Sequence, residues 1–400
     1  MPLTRDARLL FAARIVRLFA YGFLAVVLVL YLAAIGLDDS RIGSLLTLTL
    51  IGDVLLSLYL TTRADAIGRR RTLFAGAILM VIAAAVFAST NDFALLVLAA
   101  TIGVISPSGN EVGPFLAIEQ VALSQTADRS ARIALFGWYN LAGSFATAAG
   151  SLVAGAMTAM LLQRGFTDVA SYRATIVIYA ALGVLLAIVF ARLSSAVEGA
   201  RVESKSLFRI HRSRGIILRL SSLFALDSFA GGLVVQSIVA YWFHIRFGLS
   251  PATLGAIFFG ANLLAGVSAL AAARIAHRIG LLNTMVFTHL PSNVLLMLVP
   301  FMPTLPLAIG VLLLRFSISQ MDVPTRQAFV IAAVDESERT AAGGITGVAR
   351  TTGAALAPVI AMPLIANAQH QWVPFVVAGA LKIIYDLVLL WSCRGVELEG

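Results

Sequence analysis

Two long apolar stretches of this chain are joined by a tight charged string, Arg63-Ala64-Asp65-Ala66-Ile67-Gly68-Arg69-Arg70-Arg71. A shorter copy, Ala276-His277-Arg278-Ile279-Gly280, follows 212 residues later, Gly280 against Gly68. The charged turn needs water and its flanks need an apolar medium. A duplicated bundle of membrane helices satisfies both demands twice in one chain. Composition agrees: 60% of the 400 residues are hydrophobic and 12% are charged, where a soluble domain carries roughly 25% charge. No soluble fold buries that much apolar surface, so lipid must be the solvent for most of it.

A membrane helix needs about 20 mostly apolar residues. Twelve runs qualify, over 9–36, 41–62, 72–90, 93–122, 131–162, 172–193, 216–246, 251–275, 281–302, 304–333, 340–367 and 372–393. The fold class is therefore an all-α integral membrane protein. The longest polar stretch, 194–215, reads as a linker between two six-helix halves, 1–193 and 216–400. The first run lacks a small-residue cleavage site and is expected to be retained. With the N-terminus inside, the inner loops hold Arg5, Arg8, the Arg63–Arg71 cluster, Arg129, Arg132, the linker, Arg274, Arg278, Arg339 and Arg394. The outer loops hold only Arg41, Arg164, Arg173 and Arg246. The positive-inside rule then places both termini in the cytoplasm of a cell's inner membrane.

The duplication extends past the hinge. Ile35-Gly36-Leu37 and Gly43 match Phe247-Gly248-Leu249 and Gly255 at the same spacing. Asp128-Arg129-Ser130-Ala131 matches Glu338-Arg339-Thr340-Ala341 at a spacing of 210, as do Pro114 with Pro324, Gly137 with Gly347 and Gly143 with Gly353. Internal symmetry of this kind marks duplicated transporters. The hinge resembles the loop between helices two and three of the major facilitator superfamily, G-x-x-x-D-R/K-x-G-R/K-R/K. Asp65, Gly68, Arg69 and Arg70 match; Thr61 stands at the first glycine and Ala66 at the first basic position. The resemblance implies secondary transport by alternating access, with spans one, four, seven and ten lining a central cavity. It also implies a cytoplasmic latch of Asp65, Gly68, Arg69 and Arg70, joined by Glu119 near the inner end of span four.

Charged groups inside the lipid span are costly unless paired or hydrated, and so mark candidate sites. Span four contains Ser106-Pro107-Ser108-Gly109-Asn110-Glu111-Val112-Gly113-Pro114. Its prolines and glycines predict a broken helix with Glu111 in the break. In span ten, Arg315, Asp322 and Arg326 fall on one helical face. Pro324 is expected to interrupt that helix, and Asp322 to form an ion pair with Arg326. Asp53 in span two and Asp227 in span seven have no basic neighbour one turn away. A lone carboxylate in a low dielectric can load and release a proton near neutral pH; the alternative is pairing with Arg14, Arg17 or Arg350 on another helix. Lys382 and Asp386, four apart, are expected to neutralise each other.

Other chemistry lacks support. The basic residues are spread among short loops, which argues against nucleic acid. One cysteine, Cys393, excludes a disulfide framework within the chain, and the five histidines are scattered, so no metal site and no cofactor is expected. No phosphate loop, H-E-x-x-H or G-x-S-x-G occurs, so the chain is not read as an enzyme. The reading is a monomeric, proton-coupled carrier of a small solute in the bilayer. Arg14, Arg17, Arg315 and Arg326 favour an anionic or zwitterionic solute. Efflux of hydrophobic drugs is the second reading, with Phe19, Tyr21, Tyr31, Phe229, Tyr241 and Trp242 as a greasy wall. Against it, span five lacks the Gly-Pro motif, and early span four lacks the arginine, that drug exporters of this superfamily commonly carry. A transport-dead receptor on the same fold is the third reading.

Overall fold

A computed structural model of the chain describes residues 4–124, 132–198, 212–335 and 338–394, without the side chains of residues 65, 132–134 and 340. Most of the expected linker, 199–211, lies outside the described residues. In chain order the helices are α1 (Arg5–Ala34), α2 (Asp39–Ile67), α3 (Arg69–Ser89), α4 (Phe93–Ile102), α5 (Phe115–Ser124), α6 (Arg132–Gln163), α7 (Asp168–Ala191) and α8 (Arg214–Gly232). They continue as α9 (Gln236–Phe247), α10 (Pro251–Ile279), α11 (Leu281–Leu298), α12 (Leu305–Phe316), α13 (Asp322–Ala332), α14 (Arg339–Ala355), α15 (Pro358–Ala366) and α16 (Val373–Cys393). Among the described residues, 10 spans are long and apolar enough to cross a membrane. Spans four and ten complete the twelve as helix pairs, α4 with α5 and α12 with α13.

The chain forms two compact units. The first comprises Met1–Glu203 with Val235–Asn262, the second Ser204–Val234 with Leu263–Gly400. In the first, every residue of α1 from Ala20 to Leu32 is buried. A helix that is apolar all round belongs in the middle of its bundle. It packs on α6, where a Cβ on Gly22 or Gly150 would collide with the backbone of Thr147 or Phe19. In the second unit, Gly232 and Gly353 bring α8 and α14 equally close. Small residues at such crossings let membrane helices gain dispersion energy where no hydrophobic effect drives them together. Ile217, Phe224, Phe329, Tyr385 and Leu389 form the second unit's core. Large apolar side chains also point outward; Trp391 is 83% exposed. Such a surface suits lipid and would be an aggregation hazard in water.

The repeat has a backbone counterpart. Gly68 (φ +106°) and Gly280 (φ +84°) each end one helix and start the next. These are left-handed turns, which glycine adopts without Cβ strain.

Residues 103–114 are not helical, as the prolines and glycines predict. The freed backbone groups are satisfied within the first unit. Tyr179 donates to the Val104 carbonyl (2.8 Å), Tyr21 to that of Val112 (3.2 Å) and the Ser237 amide to that of Pro107 (3.2 Å). Non-helical backbone at membrane depth persists only with such partners or with water. Span ten differs from expectation. Its break falls at 317–321, and Pro324 lies in the first turn of α13, where a proline costs no hydrogen bond. Arg315 therefore sits on α12, across the break from Asp322 and Arg326, and the three do not share one helical face.

Candidate functional site: two buried charge clusters

The first unit carries one cluster. Arg17 on α1 is fully buried, and all three of its guanidinium nitrogens donate to carboxylates. Its two terminal nitrogens grip Glu119 of α5 at 2.6 and 2.7 Å, while Nε and Nη2 reach Glu111 at 3.1 Å each. Arg14, one turn earlier, pairs with Glu111 and donates to the Tyr139 carbonyl (3.0 Å) and to Asn140 (3.2 Å). The Tyr139 hydroxyl donates to Glu119. Two arginines thus balance two glutamates. Planar forks of this kind fix geometry as well as charge.

Glu119 was expected beside the hinge arginines; its partners are instead Arg17 and Tyr139, in the bundle interior. A buried carboxylate seeks the guanidinium it can reach without water, and Arg17 is that group. The hinge has a different acid. Glu198, in the 3-10 turn Ser195–Glu198, accepts the backbone amides of Arg69 (2.6 Å) and Arg70 (3.3 Å). It therefore caps the N-terminus of α3, where a carboxylate is favoured. The side chain of Asp65 lies outside the described residues.

Asp53 stands beside the first cluster, within electrostatic reach of Glu111. Its partners are neutral: it accepts from the Gly113 amide and the Ser57 hydroxyl (3.2 Å). Counting Asp53, three carboxylates face two arginines.

The second unit carries the other cluster. Asp227 on α8 receives Lys382 of α16 (2.6 Å) and Arg326 of α13 (3.2 Å), with His289 of α11 at 3.9 Å. Arg326 also holds Asp322 (2.9 Å), the ion pair its spacing suggested. Lys382 and Asp386 do not neutralise each other. Lys382 goes to Asp227, and Asp386 accepts from Asn293 (3.0 Å) and pairs with His289 (2.9 Å). Four cations, Arg315, Arg326, Arg350 and Lys382, face three carboxylates, Asp227, Asp322 and Asp386. The Arg315 and Arg350 guanidinium groups make no hydrogen bond and no ion pair among the described residues; both side chains are half-buried with their Nε atoms sealed from solvent, and the Arg315 guanidinium lies 5.0 Å over the Phe316 ring.

Tyr139, Glu198, His289, Asn293 and the place of Lys382 were not found by sequence reasoning. Each pairs with a residue distant in the chain, His289 with Asp386 across 97 residues, and spacing along one helix carries no such signal. Of the aromatic wall, Tyr21, Tyr31 and Trp242 are buried in packing and line no open face.

Residues 10–358 match the family model described as Major Facilitator Superfamily. A curated relative is 28% identical over 99% of this chain and 96% of its own length, the uncharacterized membrane protein YJR124C of Saccharomyces cerevisiae. Similar folds include the nucleoside transporter NupG (TM-score 0.74, 15% identity, 98% of this chain and 100% of that chain). A bacterial homolog of the human lysosomal transporter Spinster gives 0.75 at 14% identity, over 98% and 97% of the two chains. The D-xylose–proton symporter gives 0.73 at 15%, over 98% of both. The helical architecture, the duplicated hinge and the family match agree: this chain is a multi-pass membrane protein that belongs to the Major Facilitator Superfamily of secondary transporters.

Proposed function

We propose that the protein couples movement of a small anionic or zwitterionic solute to movement of a proton, by alternating access. The observation that carries this reading is Asp53, a membrane-depth carboxylate held only by neutral donors. Glu111, Asp227 and Asp322 each have a cationic partner. With Asp53 ionised, the first cluster has one carboxylate too many; with a proton on it, the charges balance. Desolvated charge is costly, so such a group has two accessible states that differ by one proton. The likeness in fold to a proton symporter supports the coupling ion. In this reading the working division is two bundles, 1–193 and 216–400, joined by the linker 194–215. Both termini face the cytoplasm of an inner membrane, Arg69 and Arg70 belong to the inner latch, and the chain works as a monomer.

The experiment is solute-induced proton flux. Purified protein is reconstituted into vesicles loaded with a pH-sensitive dye. Anionic, zwitterionic, neutral and cationic solutes are added in turn. An anionic or zwitterionic solute that changes the internal pH in wild type, and not in Asp53→Asn, supports the reading. Solute uptake with no proton movement, or uptake that follows sodium, refutes it.

A further inference from the structure

The second unit holds a feature that proton coupling does not use. Arg315 and Arg350 come from two helices, α12 and α14, and neither guanidinium is paired with a carboxylate. The carboxylates that act on both are Asp227 and Asp322, and these are already taken by Arg326 and Lys382. An arginine at membrane depth normally pairs, and leaving it unpaired is a stability cost. Each guanidinium carries five donors in a planar fork that matches a carboxylate or phosphate.

We infer that Arg315 and Arg350 are the groups that bind the transported solute through its carboxylate or phosphate, so that the substrate is an organic anion whose charge offsets the cationic excess of the second unit. This rests on the transport reading and deepens it. The arginines first singled out in the sequence divide accordingly. Arg14, Arg17 and Arg326 are spent on protein carboxylates, and Arg350, first considered as a partner for a carboxylate, joins Arg315 as a solute ligand. The proton and the anion then have separate places. The proton goes to Asp53 in the first unit, and the anion goes to the second.

The test is equilibrium binding, with no gradient. Purified full-length protein in lipid nanodiscs is melted with succinate or inorganic phosphate as probe, and with choline and glycerol as the cationic and neutral controls. A ligand that binds the folded state raises its melting temperature. Wild type should be raised by an anion and not by the controls. Arg350→Met and Arg315→Met should each weaken anion binding about 10- to 100-fold, the loss of a charge-assisted contact. Both variants should melt higher than wild type without ligand, because a half-buried charge with no carboxylate partner is gone. A merely structural arginine moves that last readout the other way. Arg350→Lys keeps the charge and loses the fork, so it should fold normally and bind phosphate more weakly. No anion-specific rise in wild type overturns the inference. So does an equal rise in Arg350→Lys and Arg350→Met, or a lower ligand-free melting temperature in both methionine variants. Those failures leave proton flux with a zwitterionic solute untouched, whereas failure of proton coupling leaves anion binding intact.

Discussion

Replacing Glu119 with leucine separates a core role for this residue from a role in the hinge. In the structure its carboxylate takes two terminal nitrogens of Arg17 at 2.6 and 2.7 Å, with both side chains fully buried. It also accepts from the Tyr139 hydroxyl. Removing one partner of a buried ion pair costs about 3–5 kcal/mol, because the other charge stays behind. Arg17 keeps Glu111 through two contacts of 3.1 Å, which lowers the loss. The stranded Tyr139 hydroxyl adds about 1–3 kcal/mol. The sum centres on about 4 kcal/mol, roughly a thousandfold in the folded ratio. The double variant Arg17→Met/Glu119→Leu removes both charges and should cost less than the two single losses added, with a coupling of about 1–3 kcal/mol. Reversible unfolding in detergent, followed by tryptophan fluorescence, measures all three variants. A Glu119→Leu protein within about 0.5 kcal/mol of wild type, as surface changes are, refutes the reasoning. Strict additivity also refutes it. A hinge residue would slow transport and leave stability alone.

Other outcomes follow from the same geometry. Gly68→Leu forces a side chain into a left-handed turn and toward the Glu198 carboxylate; its strain of about 1–2 kcal/mol should cut the initial transport rate more than the amount of protein in the membrane. Asp65→Asn, at the matching motif position, should do the same. Lys382→Met should destabilise more than Asp386→Asn in thermal melts, because it strips Asp227 of its 2.6 Å partner while Asp386→Asn keeps an acceptor for Asn293. On a Cys393→Ser background, an impermeant thiol reagent on intact cells should label Arg164→Cys and spare Arg71→Cys; the reverse pattern overturns the proposed orientation.

The helical fold was legible because its determinant is local. Each apolar run is long enough to cross lipid, and the duplicated glycine turns repeat at one spacing. The span-four break was legible for the same reason, since Pro107, Gly109, Gly113 and Pro114 act on their own backbone. The break between α8 and α9, at Leu233–Val235, carries no proline and was not foreseen, although the helix-weakening pair Gly231-Gly232 stands immediately before it. The charge pairs were the least legible part. Lys382 and Asp386 stand four apart, and that spacing favours a pair on an isolated helix. In the bundle, Asp227 lies 2.6 Å from Lys382, and His289 and Asn293 take Asp386. Same-helix spacing is worth only about 0.2–0.5 kcal/mol, too little to outweigh partners that a buried bundle supplies from other helices. Arg14, Arg17, Glu111, Asp227, Asp322 and Arg326 stood out because charge is costly in lipid, with spacing and the span-four break as further signals, and the structure gathers them into two clusters.

Asp53→Asn in sealed vesicles tests the central claim most directly. Two modes are compared once a solute is found by proton flux. Counterflow needs only a loaded carrier that alternates, whereas uphill accumulation needs a proton to load on one side and leave on the other. The amide of the variant cannot carry that proton, so counterflow should persist at a rate near wild type while accumulation driven by an imposed pH gradient is lost. Full gradient-driven accumulation by the variant would contradict the account.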